Sequence, residues 1–422
     1  MKKLAVVYKC AFWVLVALAV TAIGTPLAVN ATELEEIIVT AQKRSEYVQD
    51  VPIAVTTFTA ESIEQRGLTN VSQLGDFTPN VEMDSTSPFA GSSSILSPYI
   101  RGIGQNDFAF NLEPGVGVYV DGVYYARTIG AVVDMLDLDH VEILKGPQGT
   151  LFGRNTIGGA INIITRKPGD EYSWKGEVTA GRYNRVDVRG AVDAPIIPEK
   201  LLSSLAFSFK NRNGYQDRIP FAGNFSENVG EFITPSTRSS GNESGDENQD
   251  NIRGKLLWLV NDDLEVTFSA DYTRVDEQAT PLTLLDTFAD PTPVTGNVAG
   301  IYNTCISLPQ ATLTAIGLGP VCNTPIANTG VVLGGANVDA DPNNDRLPYD
   351  DRFITSDIDT SFAAGSNYSV MDTFGGSATI DWWLENGMFV KSITAHRRIF
   401  AQHGVDFGGA PFTVGESNFD TK

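Results

Sequence analysis

The sequence predicts a membrane all-β protein, a transmembrane antiparallel β-barrel preceded by a small α+β domain. Three observations carry that expectation. The amino terminus reads as a secretory signal peptide, and no later stretch offers 18 consecutive apolar residues. The carboxyl-terminal half alternates apolar and polar residues over runs of about ten, the length a tilted membrane strand needs. Without a spanning helix, an exported chain is either soluble outside the cytoplasm or crosses a membrane as a closed set of strands.

Composition narrows the classes further. Of 422 residues, 42% are apolar and 19% charged, which fits neither a disordered chain nor a helical membrane protein. Thirty Lys and Arg against 51 Asp and Glu give a net charge of −21, which argues against nucleic acid as a partner. Three Cys and three His without a C-x-x-C spacing make no metal cluster. Forty Gly, with many Ser, Thr, Asn and Asp, point to short strands joined by long loops.

Lys2, Lys3 and Lys9 precede the apolar run Ala11 to Val20, and Val29-Asn30-Ala31 offers small residues at a cleavage site, so 1–31 reads as a signal peptide. Cys10 lacks the small neighbours of a lipidation site. The next segment, 32–50, opens acidic and then reads Ile37 to Thr40 as IIVT before Gln42-Lys43-Arg44-Ser45. This suits an extended piece, mobile at both ends, whose β-branched core pairs with another chain's sheet edge; the alternative is a stray first strand of the following domain.

Residues 51–168 mix types. Thr59 is placed to cap a helix that ends at Gly67, and Thr69 to Phe77 repeats the pattern as a shorter helix before Pro79. Val116 to Val120, Val141 to Leu144 and Ala160 to Thr165 read as short strands among glycine-marked turns.

From 169 to 422 the period becomes two. Leu264 to Thr273 alternates strictly, and similar runs occupy Trp174 to Gly181, Arg185 to Asp193, Leu201 to Asn211, Ile252 to Val260, Met371 to Trp382 and Met388 to Ile399, about seven strands in all. Short turns at Ile196 to Lys200, Asn261 to Asp263 and Glu385 to Gly387 alternate with long connections, Arg212 to Asn251 and Val275 to Val370. Outer-membrane barrels have this asymmetry, short turns on one side and long loops on the other. Ile399 to Gly409 reads as the start of a further surface loop.

The glycine-rich stretch Gly146 to Pro168, GPQGTLFGRNTIGGAINIITRKP, lacks the lysine and following helix of a phosphate cradle. Its glycines instead permit tight backbone packing before the AINIIT strand. This stretch, together with YIRGIG (Tyr99 to Gly104) and VYVDGVYY (Val118 to Tyr125), resembles the plug domain of TonB-dependent outer-membrane receptors. EIIVTA, from Glu36 to Ala41, resembles that family's TonB box. His140 departs from the pattern, which more often has Arg before the VEIL strand.

The resemblance implies a 22-stranded barrel closed by the plug, in the cell outer membrane and against its lipid. About 250 residues follow the plug, room for about seven strands, an odd number that leaves an open edge. The expectation is therefore the amino-terminal part of a longer receptor. The resemblance also implies a box of Glu36, Ile37, Ile38, Val39, Thr40 and Ala41 gripped by the inner-membrane TonB complex through strand addition. Arg101, Gly102, Asp121, Gly122, Gly146, Pro147, Gly149, Gly153, Gly158 and Gly159 become scaffold residues of the plug motifs. The cargo that the resemblance implies is a scarce small molecule, a ferric siderophore foremost, with cobalamin and oligosaccharides behind it.

Cys305 and Cys322 lie 17 apart in the longest loop, and an extracellular setting favours a disulfide. Asp339 to Asp351 is spaced loosely like a calcium loop, but Asn344 stands where glycine is required and Asp350 where glutamate is, so a solvated acidic loop is preferred. His140, His396 and His403 stand apart and no G-x-S-x-G elbow occurs, so neither catalytic residues nor a cofactor are expected. Two rivals remain: a surface-binding protein such as an adhesin, which has no use for EIIVTA, and a soluble periplasmic binding module.

Overall fold

The computed structural model describes residues 38–40, 43–44, 46–85, 92–106, 112–131, 137–219, 242–287, 298–325, 332–342, 345–363, 365–406, 408–410 and 416–421. The signal peptide, Glu36, Ile37, Ala41 and Asn344 lie outside the described residues.

The amino-terminal domain is built on a five-stranded mixed sheet. Its strands are β3 (Val55–Thr59), β7 (Val116–Val120), β8 (Val123–Tyr125), β9 (Leu138–Lys145) and β10 (Gly159–Thr165), in the order β3-β9-β10-β7-β8. β9 is buried at nearly every residue because both of its faces are covered, as central strands of buried sheets are. Val141, Ile143, Ile161 and Ile163 belong to the main core, which also holds Phe58, Ile63 and Leu74. Leu144 and Ala160 belong to a second cluster with Val39, Val51, Tyr119 and Phe152. The segment ahead of the domain, with β1 (Ile38–Val39) paired antiparallel to β2 (Glu46–Tyr47), thus lies against the face opposite the core.

The helix α1 (Ala60–Gln65) starts at Thr59, whose hydroxyl accepts the Ser62 N–H at 3.3 Å, and Gly67 follows it in a left-handed conformation. The second predicted helix is corrected. Val71–Phe77 is a 3-10 helix capped by Asn70, whose side chain accepts the Ser72 N–H at 3.0 Å, while Thr69 stays outside and donates its N–H to Gln73. Gly75 within it leaves space for the backbone of Met83, whose nitrogen stands 3.0 Å from where a Cβ would be. A small sheet of β4 (Val81–Asp84), β5 (Ser97–Ile100) and β6 (Ile103–Gly104), not anticipated from sequence, covers the same side. One turn of helix, α2 (Gly149–Phe152), sits inside the glycine-rich stretch.

The rest of the described chain is dominated by one antiparallel sheet of eight strands. These are β11 (Ser173–Gly181), β12 (Arg185–Ile197), β13 (Leu201–Arg212), β16 (Glu247–Asn261), β17 (Leu264–Glu277), β19 (Asn367–Trp383), β20 (Phe389–Asp406) and β21 (Glu416–Thr421), each paired with its neighbour in that order. The count of seven is corrected to eight. Residues 400 to 406, read as loop, continue β20 and give β21 its partner, with Ala401 opposite Thr421. β11 and β21 are the edges of the sheet among the described residues.

Register aligns the two faces. Lys255, Ser269 and Ser377 follow one another across β16, β17 and β19 toward the amino-terminal domain, whereas Leu256, Phe268 and Ala378 in the next row face away. Exposed Leu205, Ile252, Phe268, Phe374 and Ile380 make that outer face apolar, as lipid requires. Trp258, Trp382 and Phe389 sit beside the short turns, where interfacial aromatics belong.

The two long connections are not structureless. β14 (Gln216–Arg218) pairs antiparallel with β15 (Glu243–Ser244) from its own loop and parallel with β18 (Thr360–Ser361) from the other, stitching the two together. The second loop also carries α3 (Val298–Ser307), α4 (Gln310–Ala315) and α5 (Gly319–Cys322). Tyr302, Ile306, Tyr349 and Phe353 form its core, and Asn303 holds Tyr349 by exchanging bonds of 2.7 Å with its backbone N–H and carbonyl. Cys305 and Cys322 are disulfide-bonded, with Cα atoms 5.2 Å apart. Asp350 caps a 3-10 turn, accepting the Arg352 N–H at 3.1 Å and its guanidinium at 2.8 Å, so its carboxylate is already engaged.

Candidate functional site

The candidate site lies where the segment around Thr40 meets the five-stranded sheet. β9 and β10 pair with Glu142 opposite Asn162, on the sheet face away from the main core. A strand alternates its side chains, so apolar Val141 and Ile143 on one side dictate that Glu142 points to the other. There it is fully buried, and four donors meet it. Thr40 gives Glu142 Oε1 its backbone N–H and, at 3.1 Å, its hydroxyl. His140 Nε2 stands 3.0 Å from the same oxygen, and Asn162 Nδ2 donates to Oε2 at 2.9 Å. Burial pushes the Glu142 carboxyl up, but the bonds from His140, Asn162 and Thr40 outweigh it and hold the group below the usual carboxylate range. Burial likewise opposes charge on His140, and its bonds to Glu142 and Asp139 prevail, raising its pKa.

Two more contacts fix the segment. Val39 is fully buried against Val51, Tyr119, Leu144 and Phe152. Lys43 places its ammonium 3.9 Å from the centroid of the Phe152 ring and 5.2 Å from that of Tyr119, and burial lowers its pKa. Ile38 is 52% exposed, so one side of the short strand remains presented to solvent.

The domain is tied to the barrel wall by charge. Asp121 accepts the Thr165 N–H at 2.9 Å and hydroxyl at 2.7 Å, and Lys255 of β16 reaches it at 3.0 Å. Its carboxyl is pushed up by burial and, more strongly, down by Lys255 and Thr165, so it stays ionised. Arg397 of β20 donates to the Tyr125 hydroxyl at 2.6 Å and to both oxygens of Asp271 at 2.7 and 2.8 Å. Arg166 bridges Asp137 and Asp193 at the passage from β10 into β11. A cavity of about 450 Å³ separates the two parts, bounded by Thr40, Lys43 and Asp121 on one side and Thr267, Trp383 and Lys391 on the other.

The residues singled out from sequence fall into three places. Thr40 reaches Glu142, Val39 fills the apolar cluster beside it, and Ile38 stays half exposed. Arg101-Gly102 and Asp121-Gly122 are the central pairs of two-residue hairpin turns, all four with positive φ as type I′ turns require, and Arg101 is exposed. Gly158 and Gly159 pack against the backbone of Ile103 and Leu144, whereas a Cβ at Gly149 or Gly153 would meet nothing within 4 Å. A Cβ on Gly146 would stand 3.3 Å from the Arg101 guanidinium, and Pro147 follows it ahead of α2. Cys305 and Cys322 lie apart from all of these, in the loop subdomain. Sequence reasoning did not select Glu142, Asn162, Lys255 or Arg397; an acid set between apolar Val141 and Ile143-Leu144 was the available signal for the first.

Comparison with known proteins bears on this arrangement. Residues 47–160 match the family model described as the TonB-dependent receptor plug domain. The pesticin receptor of Yersinia pestis is 30% identical over 156 residues, which cover 36% of this chain and 22% of that protein. The ferripyoverdine receptor of Pseudomonas aeruginosa is 24% identical over 228 residues, 54% of this chain and 24% of that protein. Among solved structures, the ferric yersiniabactin uptake receptor of Yersinia pestis superposes with a TM-score of 0.52 at 16% identity, over 83% of this chain and 42% of its own. The ferripyoverdine receptor of the Pseudomonas aeruginosa outer membrane, bound to ferripyoverdine, gives 0.53 at 17%, over 89% and 38%. The matched stretches therefore span about a quarter of these curated relatives, and the likeness to the solved structures is one of fold.

Proposed function

We infer that this chain, whose amino-terminal domain is a TonB-dependent receptor plug and whose strands form an outer-membrane barrel wall, serves the active uptake of a scarce ligand across the outer membrane. A plug tied to the wall by Asp121–Lys255 and Arg397–Tyr125 does not yield to passive diffusion. Opening it requires work, and the outer membrane holds no nucleotide supply, so the energy arrives mechanically through a partner.

The observation that carries the reading is the position of residues 38–40. They form a short extended strand anchored on the plug sheet, with Ile38 exposed, as an element awaiting another chain's strand would be. In this reading the TonB complex pairs with Glu36 to Ala41 and pulls. Names of relatives support a ferric siderophore as the cargo, since the matched proteins include receptors for ferripyoverdine and ferrioxamine B. A vitamin B12 transporter of Vibrio vulnificus, 26% identical over 159 residues, supports cobalamin as the second reading.

Strand addition works through backbone N–H groups, so a proline inside the box is its weak point. In cells carrying the receptor, Ile38→Pro is expected to abolish iron-siderophore uptake while surface binding of the same siderophore persists. Undiminished uptake would refute the box assignment, and loss of binding as well would point to a folding defect.

A further inference from the structure

We propose that Glu142 is the positioning residue that parks the box segment on the plug, and that its carboxylate is where the segment must first be released. The proposal rests on the reading of residues 36–41 as the TonB box.

The geometry sets Glu142 apart from the rest of the contact. It occupies the centre of a buried sheet, flanked in its own strand by Val141 and Ile143, with no exposed surface of its own. A buried carboxylate is tolerated only when its oxygens are satisfied. Here the donors divide into two kinds. His140 and Asn162 belong to β9 and β10 and stay in place whatever the segment does. The other two are the N–H and hydroxyl of Thr40, which depart with the segment. Undocking therefore strips one carboxylate oxygen of two of its three contacts while the β9–β10 pairing is untouched.

The remaining contacts have a different character. Val39 lies in an apolar pocket and Lys43 rests over Phe152, interactions that weaken gradually with distance. Hydrogen bonds to an ion depend steeply on distance and angle and fail abruptly when stretched. Such an anchor keeps the segment docked under thermal motion and lets go under a directed pull. The Thr40 N–H is also a group that an incoming strand would engage, so docking and strand addition compete for the same donor. The charged and titratable groups facing the cluster are Asp139 and His140 on β9 and Lys43 on the segment, with Lys391 across the cavity.

The test reads docking directly in the full-length receptor purified in mild detergent, where the reagent reaches the face that carries the segment. Val39→Cys places a thiol in the buried pocket, and the bonded pair Cys305–Cys322 gives no background. Labelling by a membrane-impermeant maleimide is expected to be slow in that background and at least tenfold faster with Glu142→Ala added. Glu142→Gln, which keeps a carbonyl to accept the Thr40 N–H, is expected to restore slow labelling. Ile161→Cys, at the centre of the same sheet, reports opening of the fold and is expected to stay protected throughout. Unchanged labelling at Val39→Cys overturns the proposal. Should Ile161→Cys also become reactive with Glu142→Ala, Thr40→Pro decides the matter from the other side, since it removes both donors and leaves the sheet intact; slow labelling there overturns the proposal as well. Fast labelling combined with unimpaired uptake by Ile38→Pro would instead uphold the anchor and remove the box reading.

Discussion

His140 Nε2 lies 3.0 Å from Glu142 Oε1, and the opposite ring nitrogen lies 2.5 Å from Asp139, so one imidazole stands between two carboxylates. Its pKa is raised above the ordinary 6.5 because those bonds outweigh burial. A raised histidine contributes stability that is fully present below about pH 6.5 and is lost as pH rises through the folded-state value. Glu142 runs the other way: its lowered pKa contributes above about pH 4.5, and that contribution is lost as pH falls through the folded-state value. The melting-temperature difference between the native protein and His140→Gln should therefore be greatest from about pH 5 to 6.5 and shrink at higher pH. A difference that stays flat from pH 5 to 9 would remove the imidazolium from the account.

Lys255 and Asp121 join the barrel wall to the tip of a plug hairpin at 3.0 Å. Lys255 is nearly buried and Asp121 keeps about a quarter of its side chain exposed, so the pair is only partly screened. Lys255→Met leaves Asp121 facing an apolar side chain and should destabilise the plug by about 1–3 kcal/mol. Adding Asp121→Asn should recover part of that loss, a coupling of about 1 kcal/mol. Protease sensitivity of the plug across a urea series measures both, and strictly additive effects would mean that the contact contributes nothing.

How much of this was legible in the sequence follows from the kind of signal each part leaves. Leu264 to Thr273 sits in a sheet with lipid on one face and polar groups on the other, so its alternation is plain, and the strand is where the pattern puts it. β20 runs on to Asp406 through Ala401, His403 and Val405, all buried, where alternation fades because both faces are covered. The loop helices α3 to α5 are 10, 6 and 4 residues long, too short to show a helical period, although Tyr302 and Ile306 one turn apart were a trace of it. Val39 and Thr40 were picked out as material for a partner strand. The present partner of Thr40, Glu142, is 102 residues away along the chain and is chosen by the register of β9 against β10, which no local pattern encodes.

Cys305 and Cys322 close a 17-residue span around α4, with both sulfur-bearing residues buried beside Leu313. Loop closure of that length stabilises by about 3 kcal/mol through the unfolded state. Replacing both by serine should lower hydrogen-exchange protection of the amides around Tyr302 and Ile306 by a comparable amount. Amides of the barrel sheet near Leu256 should keep theirs, because the loop subdomain and the sheet have separate cores. Loss of protection in both would mean that the loops brace the barrel.

Gly159 and Gly149 share one motif and should respond oppositely to the same substitution. A Cβ on Gly159 would lie 2.2 Å from the Leu144 carbonyl oxygen and 2.7 Å from the Ile100 methyl, at a φ of +155°. The carbonyl belongs to β9, which is fixed by its pairing with β10 on one side and β3 on the other, so it has nowhere to move. Gly159→Ala should cost about 2 kcal/mol or more, the sum of overpacking and backbone strain. Gly149 opens α2, and a Cβ there meets nothing within 4 Å. Gly149→Ala should be neutral or stabilise by up to about 1 kcal/mol, since alanine restricts the unfolded chain and favours the helix. Thermal unfolding of the two variants side by side checks the pair, and equal losses would show that the motif's glycines are needed for something other than close packing.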